Sequence, residues 1–216
     1  MKTHHLQIVV VSAIGLAFLS GTAAERQGPR PSGASVRSAS IAPPPVADSE
    51  DPAQMVYEEL AWRHTGLSET DLRNVSAAIV TEAARHDMDW RLVLAVIQVE
   101  SGGYNFAVSH VGAMGLMQIM PPTGSQLAGE LGLVWRGRDT LLDPIMNVKM
   151  GVSYLRKLAD RYDGSWSAAL AAYNWGPARI DSRLRRGAGL PRLYAEQVLK
   201  LHDQAIAVEL ELAARS

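Results

Sequence analysis

The sequence predicts a mainly α domain broken by one irregular, glycine-punctuated insertion. Three observations carry this. Apolar residues recur at helical spacing in segment after segment beyond Met55. Alternating strand patterns are almost absent. Gly102, Gly103, Gly112 and Gly115 crowd one stretch directly behind the most apolar helix. With 216 residues, 47% of them hydrophobic and 20% charged, the chain has room for one ordinary domain plus accessories.

In chain order, residues 1–24 come first. Lys2 precedes the apolar run LQIVVVSAIGLAFL, and small residues follow at Thr22 and Ala24. That is the pattern of a secretory signal peptide cleaved after Ala24. The alternative is a retained membrane anchor, for which the run is short against the roughly 20 residues a bilayer span needs. The count of cysteines is zero, so a lipid-anchored N-terminus is not expected and the exported domain has to hold together without disulfides. Residues 25–52 are rich in Pro, Ser, Ala and Gly and poor in large apolar side chains; they read as a disordered linker. The globular domain is expected over 53–216.

Within it, Ser68 is placed to cap a helix whose first turn holds Glu69 and Asp71. WRLVLAVIQVE, residues 90–100, is apolar nearly all round, which marks a helix inside the domain rather than on its surface. Asp143 and Pro144 form a cap and first turn for PIMNVKMGVSYLRKLADRY. SWSAALAAYNW is an alanine-rich helix stopped by Gly176 and Pro177, and a long last helix runs from about Pro191 to Leu212. Only residues 102–120 leave room for short hairpins.

A formal charge of −1 offers no global attraction to nucleic acid or to an anionic membrane. His64, His86, His110 and His202 lack metal-ligand spacing, so no metal or other cofactor is expected. Arg183, Arg185, Arg186 and Arg192 make a local basic patch, read either as a solvated face or as a contact for anionic peptides.

Glu100 is the unusual residue. On a helix it shares a face with Val93, Val96 and Ile97 and therefore points where the core points. A carboxylate there relieves its desolvation by holding its proton, the state a general acid needs near neutral pH. The plain alternative is a helix-end glutamate that escapes to solvent as Ser101, Gly102 and Gly103 end the helix. Behind it, Asn105, Ser109 and Gln118 offer hydrogen bonds for hydroxyls and amides, while Tyr104, Met114, Met117 and Met120 suit the apolar faces of sugars or peptides. The methionines could equally be core packing.

ES at 100–101, AVS at 107–109, GAMGLMQIMPPT at 112–123 and ALAAYNWGP at 169–177 resemble the SLT-type lytic transglycosylases. These are bacterial enzymes with a lysozyme-like fold that cleave peptidoglycan. The resemblance covers about residues 70–200 and includes NVKMGVSYLRKL, similar to a family helix. It implies a lysozyme-like domain whose irregular insertion follows the catalytic helix, with Glu100 as the single catalytic acid/base. It implies further that Ser109 contacts the N-acetyl region of the sugar, and that Gln118, Met120 and neighbouring Met117 bind saccharide. Tyr173 matches the tyrosine that hydrogen-bonds the glutamate, with Asn174 its motif neighbour. The family's aromatic residue at Gly103 is missing, and LPRLY keeps Arg192 and Tyr194 but loses an acid and a threonine, at what is expected to be the outer edge of the groove.

Most glycoside hydrolases need two carboxylates, yet no Asp or Glu lies between Ser101 and Gly129. The resemblance implies a substrate that supplies its own nucleophile, giving a 1,6-anhydro end with no water. Asp143 or Asp163 remains a conceivable second acid. The implied partner is the peptidoglycan glycan strand in the periplasm, in general turnover or beside a secretion, conjugation or flagellar apparatus. Competing readings are a lysozyme- or chitinase-like hydrolase and an inactive wall-binding module.

Overall fold

The computed structural model describes residues 51–215, so the expected signal peptide and nearly all of the expected linker lie outside the described residues. The linker's last two positions already belong to the domain. Asp51 accepts the Ala53 amide at 3.0 Å and caps α1 (Pro52–Ala61), with Pro52 in the first turn. Capping and a proline that needs no amide partner begin the helix there.

Ser68 caps α2 (Glu69–Arg85) and hydrogen-bonds the Asp71 amide at 3.1 Å, as its sequence predicts. The apolar helix α3 (Trp90–Ser101) is sheathed on all sides: Leu92, Val93, Leu94, Ala95, Val96 and Ile97 are buried. Helix α5 (Pro144–Arg161) starts behind Asp143, whose carboxylate accepts two amides at 3.0 Å. Helix α6 (Trp166–Trp175) ends at Gly176, and α8 (Leu193–Ala213) closes the domain. Two further helices, α4 (Pro121–Glu130) and α7 (Pro177–Arg185), each open on proline. Pro177, which ends one helical pattern, begins the next helix.

The chain packs α1 on α2, α2 on α5, α5 on α6 and α3 on α8, with a 3-10 turn over Arg138–Leu142 beneath α5. Each fully buried Leu or Ile in that core is worth about 1.5–3 kcal/mol. The start of α3 is fastened to α8 by a polar knot. Buried Asp89 accepts the Arg91 amide at 2.9 Å and faces His202 at 3.3 Å, while Arg91 also binds Glu209.

Residues 102–120 form no strand among the described residues. They hold two isolated antiparallel bridges, Val108 with Met114 and Met114 with Ile119. The reason is the turn chemistry: Gly112 and Gly115 take left-handed φ of 88° and 80°, and Gln118 takes 48°, so pairing never runs beyond one residue.

Candidate active site

Helix α3 ends one residue after Glu100 because Gly102 adopts the left-handed conformation that caps a helix C-terminus. Ser101 then ties that end to the insertion. Its hydroxyl donates to the Leu116 carbonyl at 2.8 Å, with the Ile97 carbonyl at 3.1 Å, and its oxygen accepts the Gly103 amide at 3.2 Å.

The insertion is clamped from below by α5 and α6. Asn147, wholly buried, accepts the Met117 amide at 2.8 Å and donates to the carbonyls of Met114 and Leu141 at 2.9 and 2.8 Å. Gly115 has no side chain because one would collide: a Cβ would lie 2.2 Å from Asn147 Nδ2. Gly151 likewise makes room for Met117, whose sulfur would sit 2.3 Å from an added Cβ. Tyr173 completes the clamp by donating to the Met117 carbonyl at 2.8 Å.

Over this floor sits Glu100, half-buried, its Oε1 accepting the Tyr194 phenol at 2.6 Å. Burial raises its pKa from an ordinary 4.5 to about 7, against the Tyr194 hydrogen bond, which favours the charged form. No second carboxylate contributes to that shift. The phenols of Tyr173 and Tyr194 are both held protonated well above their usual range, by burial and then by the nearby charge of Glu100. Tyr154 stacks obliquely on Tyr173 at 5.5 Å. A carboxyl that is half-ionised near pH 7, beside phenols that keep their protons, is equipped to give and retrieve a proton.

Several expectations need correcting. Tyr194, expected at the outer edge of the groove, is buried and is the phenol on Glu100; Tyr173, expected in that place, spends its proton on Met117. Both rings approach the same carboxyl, but the nearer hydroxyl comes from α8, far away in sequence. Met117 does not line a groove: its side chain is wholly buried over Gly151. Asn105 is buried too, donating to the Leu142 carbonyl at 2.9 Å. Gln118 lies partly exposed, yet its amide donates to the carbonyls of Ala107 and Gly115, at 3.0 and 2.9 Å. Ser109 is partly exposed, and its hydroxyl oxygen accepts the Ala113 amide at 3.0 Å. Met120 and Asn174 are partly exposed on the segments that flank the site.

Sequence reasoning missed the clamp by Asn147. The signal was there: Asn147 shares a helix face with Met150, Gly151 and Tyr154, the same polar-on-apolar anomaly that singled out Glu100. Among the described residues no group of His, Cys, Asp or Glu could hold a metal ion.

Residues 77–191 match the family model of the transglycosylase SLT domain. The chain is 42% identical over 94 residues to a transglycosylase of Enterobacteria phage PRD1, covering 44% of this chain and 32% of that protein. It is 36% identical over 104 residues to a soluble lytic murein transglycosylase of Salmonella typhimurium, covering 48% of this chain and 16% of that one. The chain therefore spans a third or less of the length of these relatives. Among solved structures, an inactive glutamate-to-glutamine mutant of the lytic transglycosylase Slt from Pseudomonas aeruginosa aligns with a TM-score of 0.56 at 26% identity, covering 70% of this chain and 28% of that one. The mainly α, lysozyme-like architecture expected from the sequence is the one these neighbours share.

Proposed function

This chain belongs to the transglycosylase SLT domain family, and on that premise we propose that it is a peptidoglycan lytic transglycosylase in which Glu100 acts alone as acid and then as base. One observation supports this above the others: a half-buried carboxyl with a pKa near 7, a phenol on one oxygen, and no second carboxylate contributing to its titration. The Pseudomonas neighbour, inactive as a glutamate-to-glutamine mutant, points the same way.

In the proposed sequence, protonated Glu100 donates to the oxygen of the β-1,4 bond between N-acetylmuramic acid and N-acetylglucosamine. The C1–O bond breaks, and the substrate's own acetamido oxygen stabilises the positive charge at C1. Glu100, now anionic and steadied by Tyr194, removes the proton from the muramoyl C6 hydroxyl. O6 then bonds C1, leaving a 1,6-anhydro end. Every proton returns to its place, and no water is consumed. The substrate is the glycan strand of the cell wall, reached in the periplasm after export by the leader over residues 1–24.

Mass spectrometry of digested sacculi tests this reading. Anhydro-muropeptides are expected as the main new ends; reducing ends alone would mean lysozyme-type hydrolysis.

Tyr194 offers a separate check. Its hydrogen bond favours the anionic form of Glu100, so Tyr194→Phe is expected to raise the Glu100 pKa further. The limb on which kcat/KM falls with rising pH should move upward by roughly one pH unit. A pH–rate profile measures it, and an unmoved limb would contradict the assignment.

A further inference from the structure

Three aromatic side chains stand open to solvent: Trp62 at 68% exposure, Tyr104 at 44% and Phe106 at 46%. Every other aromatic side chain among the described residues is buried or partly buried. The three gather where the connection between α1 and α2 meets the segment behind α3. Tyr104 and Phe106 meet edge to face, their centroids 6.0 Å apart, and both rest on Gly66, where an added Cβ would come within 3.0 Å of either ring. Trp62 joins them through Arg63, whose stem lies against Gly103 and whose guanidinium sits 4.2 Å over the indole.

This arrangement is fixed from within. Glu59 holds Arg63 at 2.8 Å, and Gln98, two residues before Glu100 on α3, holds Glu59 at 3.0 Å. From Gly103 to Ser109 the backbone is anchored at alternate residues. The Asn105 amide bonds the Thr65 carbonyl at 2.9 Å, and the Ala107 carbonyl accepts the Gly115 amide at 3.0 Å. Tyr104, Phe106 and Val108 therefore face outward in a row that begins four residues past Glu100 and ends beside Ser109.

Exposed apolar rings held rigidly and rimmed by polar groups mark a binding surface. A pyranose presents a face of C–H bonds that stacks on an aromatic ring while its hydroxyls stay hydrated; the amphipathic rings of Trp and Tyr suit such a partner. Tyr104 lies four residues beyond Glu100, a stretch of chain that spans at most about 14 Å, so a polymer held at the proposed bond-cleaving centre has the row within reach of its next few sugars. The geometry points to Trp62, Tyr104 and Phe106 as an accessory platform for the glycan strand, a proposal that rests on Glu100 as the cleaving acid. Trp62 precedes the segment 77–191 matched by the family model, so α1 adds this part of the surface.

Co-sedimentation with purified sacculi, in a Glu100→Gln background that leaves the wall intact, tests it. Trp62→Ala and Phe106→Ala should each weaken binding about tenfold, Trp62→Phe much less, and the loss should grow with glycan length. Trp62→Ala disturbs little packing, so it keeps the test meaningful if Phe106→Ala unfolds. Binding by Trp62→Ala equal to its parent overturns the platform and leaves the cleaving site standing. So does a parent dimer that Trp62→Ala converts to monomer with wall binding unchanged, since the patch would then be a protein interface. Absence of binding by the Glu100→Gln parent itself overturns both.

Discussion

Glu100→Gln is expected to lower turnover of purified sacculi by about a thousandfold or more while the domain stays folded. A positioned general acid or base contributes roughly 10²–10⁴ in rate, and here one group would serve both proton transfers. The amide keeps the shape and can accept from Tyr194, but it can neither give nor retrieve the proton. The same substitution carries a stability signature. Folded Glu100 titrates near 7 and an unperturbed glutamate near 4.5, so the fold prefers the protonated form. That preference contributes in full below about pH 4.5 and is lost as pH rises through 7. Glutamine is neutral throughout. The variant should therefore match the parent at pH 4 and exceed it by roughly 1–3 kcal/mol at pH 8. Thermal melts across that range measure it; a variant less stable at pH 8 would mean that Glu100 is an ordinary structural carboxylate.

Asn147→Ala is expected to bring the largest loss of stability, about 3–5 kcal/mol out of a total that for most domains is 5–15. The side chain is wholly buried, and its removal strands the Met117 amide and the Leu141 carbonyl and takes from the Met114 carbonyl one of its two donors, leaving the Ile119 amide. Each such buried orphan costs about 1–3 kcal/mol, partly relieved by relaxation. Asn147→Asp should do little better, since a carboxylate would face two carbonyl oxygens. Gly115→Ala approaches the same clamp from the other side, with a Cβ 2.2 Å from Asn147 and a backbone φ of 80°. Urea unfolding of the variants measures these effects. A loss under 1 kcal/mol for Asn147→Ala would mean the insertion is not held as described.

The helices were legible wherever a cap coincided with an apolar period, as at Ser68 for α2 and Asp143 for α5. They were illegible where proline starts a helix: Pro177 reads as the end of the preceding helix and Pro121 draws no helix at all, yet proline in a first turn surrenders no hydrogen bond. Glu100 was legible because an acid on an apolar stripe is costly wherever it occurs. Its partner was not. Nothing local in LPRLY says that Tyr194 turns inward to the carboxyl, because α8 returns to α3 only through tertiary packing. Met117 and Met120 look alike in sequence, but Gly151 opposite the first of them decides that it is core.

The central claim is that the sugar, not water, closes the reaction at C1. Digestion of sacculi in water enriched in heavy oxygen tests it most directly. The account predicts 1,6-anhydro-muramoyl ends carrying no label. Labelled reducing-end muramic acid as the main product would contradict it.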